Sequence, residues 1–200
     1  MKDRKQMGLK EQIYSVLVVS ASENFNKALS SLLPVQHYEP VCYAANIGSA
    51  RRILNEREFD FVIINSPLPD DIGTGLAVDV SISNGSVVLL IIRDDLIEDV
   101  QMKIAGDGVF TLAKPLSTQT FSMALGWMAS TRERLRSMER KTISIEEKMK
   151  EIRYVNKAKW LLITEQKMDE SQAHRYIEKQ AMDRCITRLK VAEEIIRTYS

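Results

Sequence analysis

The side chains best equipped for covalent or metal chemistry in this sequence are two histidines, His37 and His174, and two cysteines, Cys42 and Cys185. Their spacing matches no metal-ligand set, and two cysteines so far apart give no disulfide framework. A histidine on a helix, as at His174, relays phosphoryl groups in some proteins, but that needs a nucleotide-binding glycine motif. Every glycine lies at or before Gly126, so His174 reads as a surface residue. No catalytic residue, metal or cofactor is expected, and the chain reads as a non-enzyme. What remains is charge. From Thr131 onward 17 Lys and Arg face 12 Asp and Glu, whereas the first 130 residues carry 11 against 15, so a net charge of +1 hides an acidic part and a basic one. Excess cations on helices suit an anionic partner, set against the plainer meaning of a solvated helical face.

The elements that must position these groups follow from the apolar pattern. Hydrophobic residues at 44% and charged residues at 28% describe a globular chain rather than a disordered one. The longest apolar run, Val87 to Ile92, is too short to cross a bilayer, and the N-terminus MKDRKQMGLKEQ lacks the apolar core of a signal peptide. A cytoplasmic protein with no membrane partner is expected. Short apolar runs alternate with helix-length segments. The expected strands are Ser15 to Ser20, Pro40 to Ala44, Phe59 to Asn65, Ser86 to Ile92 and Gly108 to Lys114. Between them, Glu23 to Leu33, Ile47 to Glu56, Gly73 to Ser83 and Leu96 to Ile104 have helical length. This predicts an α/β, flavodoxin-like domain over residues 1–125, a doubly wound five-stranded parallel sheet with ligand chemistry at the carboxyl ends of its strands.

The strand order, the segment Pro69-Asp70-Asp71-Ile72-Gly73 after the third strand and Ala113-Lys114-Pro115 after the fifth resemble the receiver domain of bacterial response regulators. The resemblance implies an acidic pair holding magnesium after the first strand, an aspartate phosphoacceptor ending the third, a Thr or Ser ending the fourth, and a Lys before Pro. In this chain those roles fall on Ser20 and Ala21, Asn65, Ile92 and Lys114. Ser and Ala do not give magnesium its hard carboxylate ligands, an amide is no nucleophile, and Ile has no hydroxyl. Only Lys114 matches, and its plainer reading is a strand-end lysine in solvent or bonded to Asn65. Glu23, Asp70 and Asp71 are acids close by in sequence, but their spacing does not rebuild the site. A pseudo-receiver that answers to protein or small-molecule contact is therefore expected.

From Gly126 the composition is that of one helix, and steps of three and four from Met128 visit Thr131, Leu135, Met138, Thr142, Ile145, Met149, Ile152 and Asn156, six of these nine positions being apolar. Charged residues flank these positions. That is a narrow apolar seam, which predicts a coiled-coil linker over residues 126–152 and a homodimer. Beyond it, the first helix ends near Gln166, a second starts at Asp169 with Gln172 as a capping box, and a third runs from Thr187 to Arg197. Ala158, Ala173, Ala181 and Met182 are read as core.

Four segments in order, Lys157-Ala158-Lys159-Trp160-Leu161-Leu162, Met168 to Ala173, Gln180 to Arg184 and Val191-Ala192-Glu193, resemble the ANTAR domain, the RNA-binding module of the amidase and nitrate assimilation antitermination regulators. The module is placed over residues 145–200. The chain departs from that pattern at Trp160, where the family usually has glycine. The resemblance implies a response regulator of transcription antitermination that binds paired leader RNA hairpins as a dimer. The order of receiver-like domain, coiled coil and ANTAR module is especially similar to the amidase branch of the family, which implies a ligand-sensing regulatory protein as a further partner. The candidate RNA contacts are Lys159 and Arg184, then Lys157, Arg175, Gln180 and Arg188, which suit phosphates and splayed bases. The competing reading is a dimerising adaptor for another protein, with no RNA binding.

Overall fold

A computed structural model of the chain describes residues 12–83, 85–104 and 106–199. Residues 1–11, on which the reading of the N-terminus rests, lie outside the described residues. The chain divides into two compact units, Met1–Leu135 and Arg136–Ser200. In the first, the elements alternate as β1 (Tyr14–Val19), α1 (Glu23–Ser30), β2 (Tyr38–Ala44), α2 (Ile47–Glu56), β3 (Phe61–Asn65), α3 (Thr74–Ser83), β4 (Val87–Arg93), α4 (Ile97–Ile104), β5 (Val109–Lys114) and the beginning of α5 (Thr118–Gln166). The strands pair in parallel in the order β2-β1-β3-β4-β5. The winding reverses between β1 and β3, so a crevice forms at their carboxyl ends, where Ser20 and Asn65 stand.

Both faces of this sheet are covered, which is why residues 61–64 of β3 and 87–92 of β4 are unbroken apolar runs. On one face Leu17, Val19, Ile64 and Leu90 pack with Ala50, Leu76, Val80 and Val100 of α2, α3 and α4. On the other, Val18, Ile63 and Leu89 meet Leu29 of α1 and Phe121, Leu125 and Met128 of α5. Each such side chain contributes roughly 1.5–3 kcal/mol on burial. Between β3 and α3 the chain turns on Gly73 at φ +92°, where a Cβ would come within 2.8 Å of Ile64 Cγ2.

Two expectations change here. The long helix starts at Thr118, ahead of Gly126, because Ser117 Oγ accepts the Thr120 amide at 3.0 Å and Phe121, Leu125 and Met128 place an apolar stripe on the sheet. Met128, fully buried, and Leu135 belong to that core and are not seam residues. A spacing of three and four describes a helix lying on a sheet as well as a helix paired with another.

The second unit holds the remainder of α5, then α6 (Glu170–Asp183) and α7 (Arg188–Tyr199). Asp169 Oδ1 accepts the Gln172 amide at 2.7 Å and Gln172 Oε1 accepts the Asp169 amide at 3.0 Å, the expected capping box. Ala158, Leu161, Leu162, Ala173, Ile177, Ala181, Val191, Ala192 and Ile195 form the core. Four alanines among nine residues let three short helices approach closely enough to share a small interior. Met182 is a correction: it is 78% exposed, on the side of α6 away from Ile177 and Ala181.

Candidate functional site

At the carboxyl ends of the strands the structure shows what stands in the receiver-type site. Ser20 and Asn65 are both buried, and Asn65 Nδ2 donates to Ser20 Oγ at 3.0 Å. Asn65 Oδ1 is buried and has no hydrogen-bond partner among the described residues. Lys114, before a cis proline, donates from Nζ to the Ser66 backbone carbonyl and not to Asn65. Burial pushes its pKa below the ordinary lysine value. Ala21 is exposed. Ile92 is fully buried in the cluster of Leu90 and Ile64, while Ile91, opposite Asn65 in the ladder, is the residue that faces the same cleft as Asn65 and Lys114. Strand alternation explains the shift by one, and either residue lacks a hydroxyl.

The neighbouring acids are engaged elsewhere. The Asp70 carboxylate accepts the Ile47 and Gly48 amides at 2.9 and 3.3 Å, on the positive end of α2, and Asp71 Oδ1 accepts the Gly73 amide at 2.8 Å. The arrangement is thus a neutral Ser–Asn pair beside one lysine. It offers hydrogen bonds and a cation but no carboxylate nucleophile.

In the second unit the cations divide into two groups. Lys159 Nζ lies 3.1 Å from Glu170 Oε1 with its side chain only 18% exposed. Arg184 forms a two-pronged ion pair with Glu194, at 2.6 and 3.0 Å, and this bond holds the Glu194 carboxyl below its ordinary pKa. Arg188 Nε is 2.9 Å from Glu151. Lys157 and Arg175, by contrast, are exposed and make no ion pair among the described residues, and Lys179, one turn on from Arg175, shares its face of α6. Gln180 is half-buried beside Arg184 and Glu194. The sequence places these residues on helices, but the partners of Lys159, Arg184 and Arg188 lie on other helices, beyond the reach of local spacing. His174 is exposed, 3.3 Å from Glu178 one turn along α6.

Of the seam positions, Met138, Ile145, Met149 and Ile152 are each more than half exposed along α5. Trp160, 64% exposed, continues the same stripe two turns past Ile152. Trp160 therefore adds to the surface. Among the described residues, no helix is long and apolar enough to cross a membrane.

Comparison with known proteins matches this division. Residues 144–196 match the family model of the ANTAR domain. The transcriptional regulatory protein PdtaR of Mycobacterium tuberculosis, in strains CDC 1551 / Oshkosh and ATCC 25618 / H37Rv, is 25% identical over 186 residues, covering 92% of this chain and 89% of the relative. The first unit is similar in fold to the signal receiver domain of an HD domain-containing protein from Pseudomonas fluorescens Pf-5, with a TM-score of 0.56 and 22% identity over 65% of this chain and 96% of that one. It is likewise similar to a response regulator receiver domain protein from Clostridium thermocellum, with a TM-score of 0.54 and 19% identity over 63% and 99% of the two chains.

Proposed function

We propose that this chain, an ANTAR response regulator in which a receiver-fold domain precedes an ANTAR domain, is a dimeric RNA-binding regulator of transcription antitermination that works without aspartyl phosphorylation. The observation that carries the reading is the ANTAR match over residues 144–196, which coincides with a folded three-helix unit bearing unpaired surface cations. The likeness to a transcriptional regulatory protein along nearly the whole chain supports it. Lys157 and Arg175 are the first phosphate contacts, because binding through them breaks no ion pair. Lys159, Arg184 and Arg188 retain donors for RNA, since a guanidinium has five and an ammonium three, but each shares its charge with a glutamate. Gln180 supplies hydrogen bonds to a base. The exposed stripe Met138, Ile145, Met149 and Ile152 pairs with a second copy, which presents two RNA-binding units to two hairpins. Regulation comes from contact at the pseudo-receiver, for which a ligand-sensing protein is one partner.

The neutralised cations favour a second reading, a dimeric adaptor without RNA. One experiment separates the two: binding of the purified chain to a leader RNA with two adjacent hairpins, across a salt series. Affinity is expected to fall steeply with salt, and Lys157→Ala with Arg175→Ala to flatten the log–log slope by about 2, one for each phosphate no longer neutralised. Acetyl phosphate with magnesium is expected to leave affinity and intact mass unchanged. Undetectable binding at low salt rejects the RNA reading, and an added phosphoryl group rejects the phosphorylation-independent one.

A further inference from the structure

The carboxyl end of the sheet holds a cleft of about 610 Å³ between α1 and the beginning of α5. That is within the span of small-molecule sites, roughly 300–1,000 Å³. Its walls are apolar, with Phe25, Leu29 and Leu32 of α1 on one side and Leu116 and Phe121 on the other, closed by Ile91. Asn65 and Lys114 supply its polar interior.

Two features select what would fill it. Lys114 spends one Nζ proton on the Ser66 carbonyl and has two more to give. Both α1 and α5 begin at the cleft, at Ser22 and Thr118, so their positive ends add to the charge of Lys114. The lysine and helix ends ask for an anion, and the walls for an apolar body.

We propose that this cleft binds a small organic carboxylate that carries an apolar body. The carboxylate meets Lys114, and the body lies between Phe25, Leu29 and Phe121. Inorganic phosphate satisfies the charge but leaves the apolar walls in water. The same substitutions that remove phosphoryl chemistry, Asn65 and Ser20 for acids, take away the negative charge that would repel such a ligand. Phe121 both lines the cleft and packs in the core, so occupancy bears directly on the first turns of α5. This site stands on the cleft alone and does not depend on RNA binding.

Calorimetric titration of the full chain tests it, with 3-phenylpropanoate and inorganic phosphate as probes. The carboxylate is expected to bind saturably, and phosphate more weakly. Lys114→Met should weaken binding by about tenfold. Ala28→Phe, which fills the cleft from its exposed rim, should abolish it, with thermal melts confirming that both variants fold. No saturable binding of the carboxylate to the wild-type chain, phosphate binding tighter than the carboxylate, or unchanged affinity in either folded variant overturns the proposal.

Discussion

Asn65 and Ser20 share one internal hydrogen bond at the carboxyl ends of their strands, and sequence places them there because strand ends fix their positions. Sequence could not show the second polar device of this unit. Asp60, just before β3, accepts from Arg132 Nε of α5 at 2.8 Å and from the Ser15 amide at 3.0 Å, with the Arg132 and Asp60 side chains only 14% and 12% exposed. Residues 72 positions apart in the chain meet only through the fold. Arg132→Met leaves a mostly covered carboxylate without this cation, so a loss of about 2–3 kcal/mol is expected in chemical denaturation followed at the receiver-like unit. An unchanged midpoint would show that the pair is solvated.

At the scale of elements, the five strands and four intervening helices are legible because buried parallel strands are short, uninterrupted apolar runs set between helix-length polar segments. The origin of α5 and the placing of Met128, Leu135 and Met182 are not, because periodicity gives a face and says nothing of what covers it. Absence of glycine from the tail is equally legible, and the structure gives it a cost. Two helices end on a residue in the left-handed region, Lys167 at φ 56° after α5 and Cys185 at φ 51° after α6. Cys185 is followed by the return bond of such a cap, from the Ile186 amide to Ala181 O at 3.0 Å, whereas after Lys167 the Met168 amide reaches one residue further back, to Leu162 O at 3.5 Å. Left-handed backbone costs a side-chain-bearing residue about 1 kcal/mol. Lys167→Gly and Cys185→Gly are each expected to stabilise the three-helix unit by about that much, read as a rise in its melting temperature.

For the whole molecule, the near-zero net charge is a cancellation, and the basic excess lies in the part where the ANTAR domain matches. Much of that excess is tied up internally by Glu151, Glu170 and Glu194, so the count of cations overstates the charge on offer to RNA. The apolar stripe is the larger-scale feature. Ile145→Lys together with Ile152→Lys places two like charges on each helix of the proposed pair and is expected to yield a monomer in light scattering at micromolar concentration. A wild-type chain that is already monomeric there would remove the seam.

Because Met138, Ile145, Met149 and Ile152 stand on one unbroken helix, α5, the number of residues between them is itself a specification. One added residue turns the helix after it by about 100° and carries the later half of the stripe off its line, whereas seven return it to within about 20°. Length variants that keep the stripe should therefore differ, between Met138 and Ile152, in steps of seven.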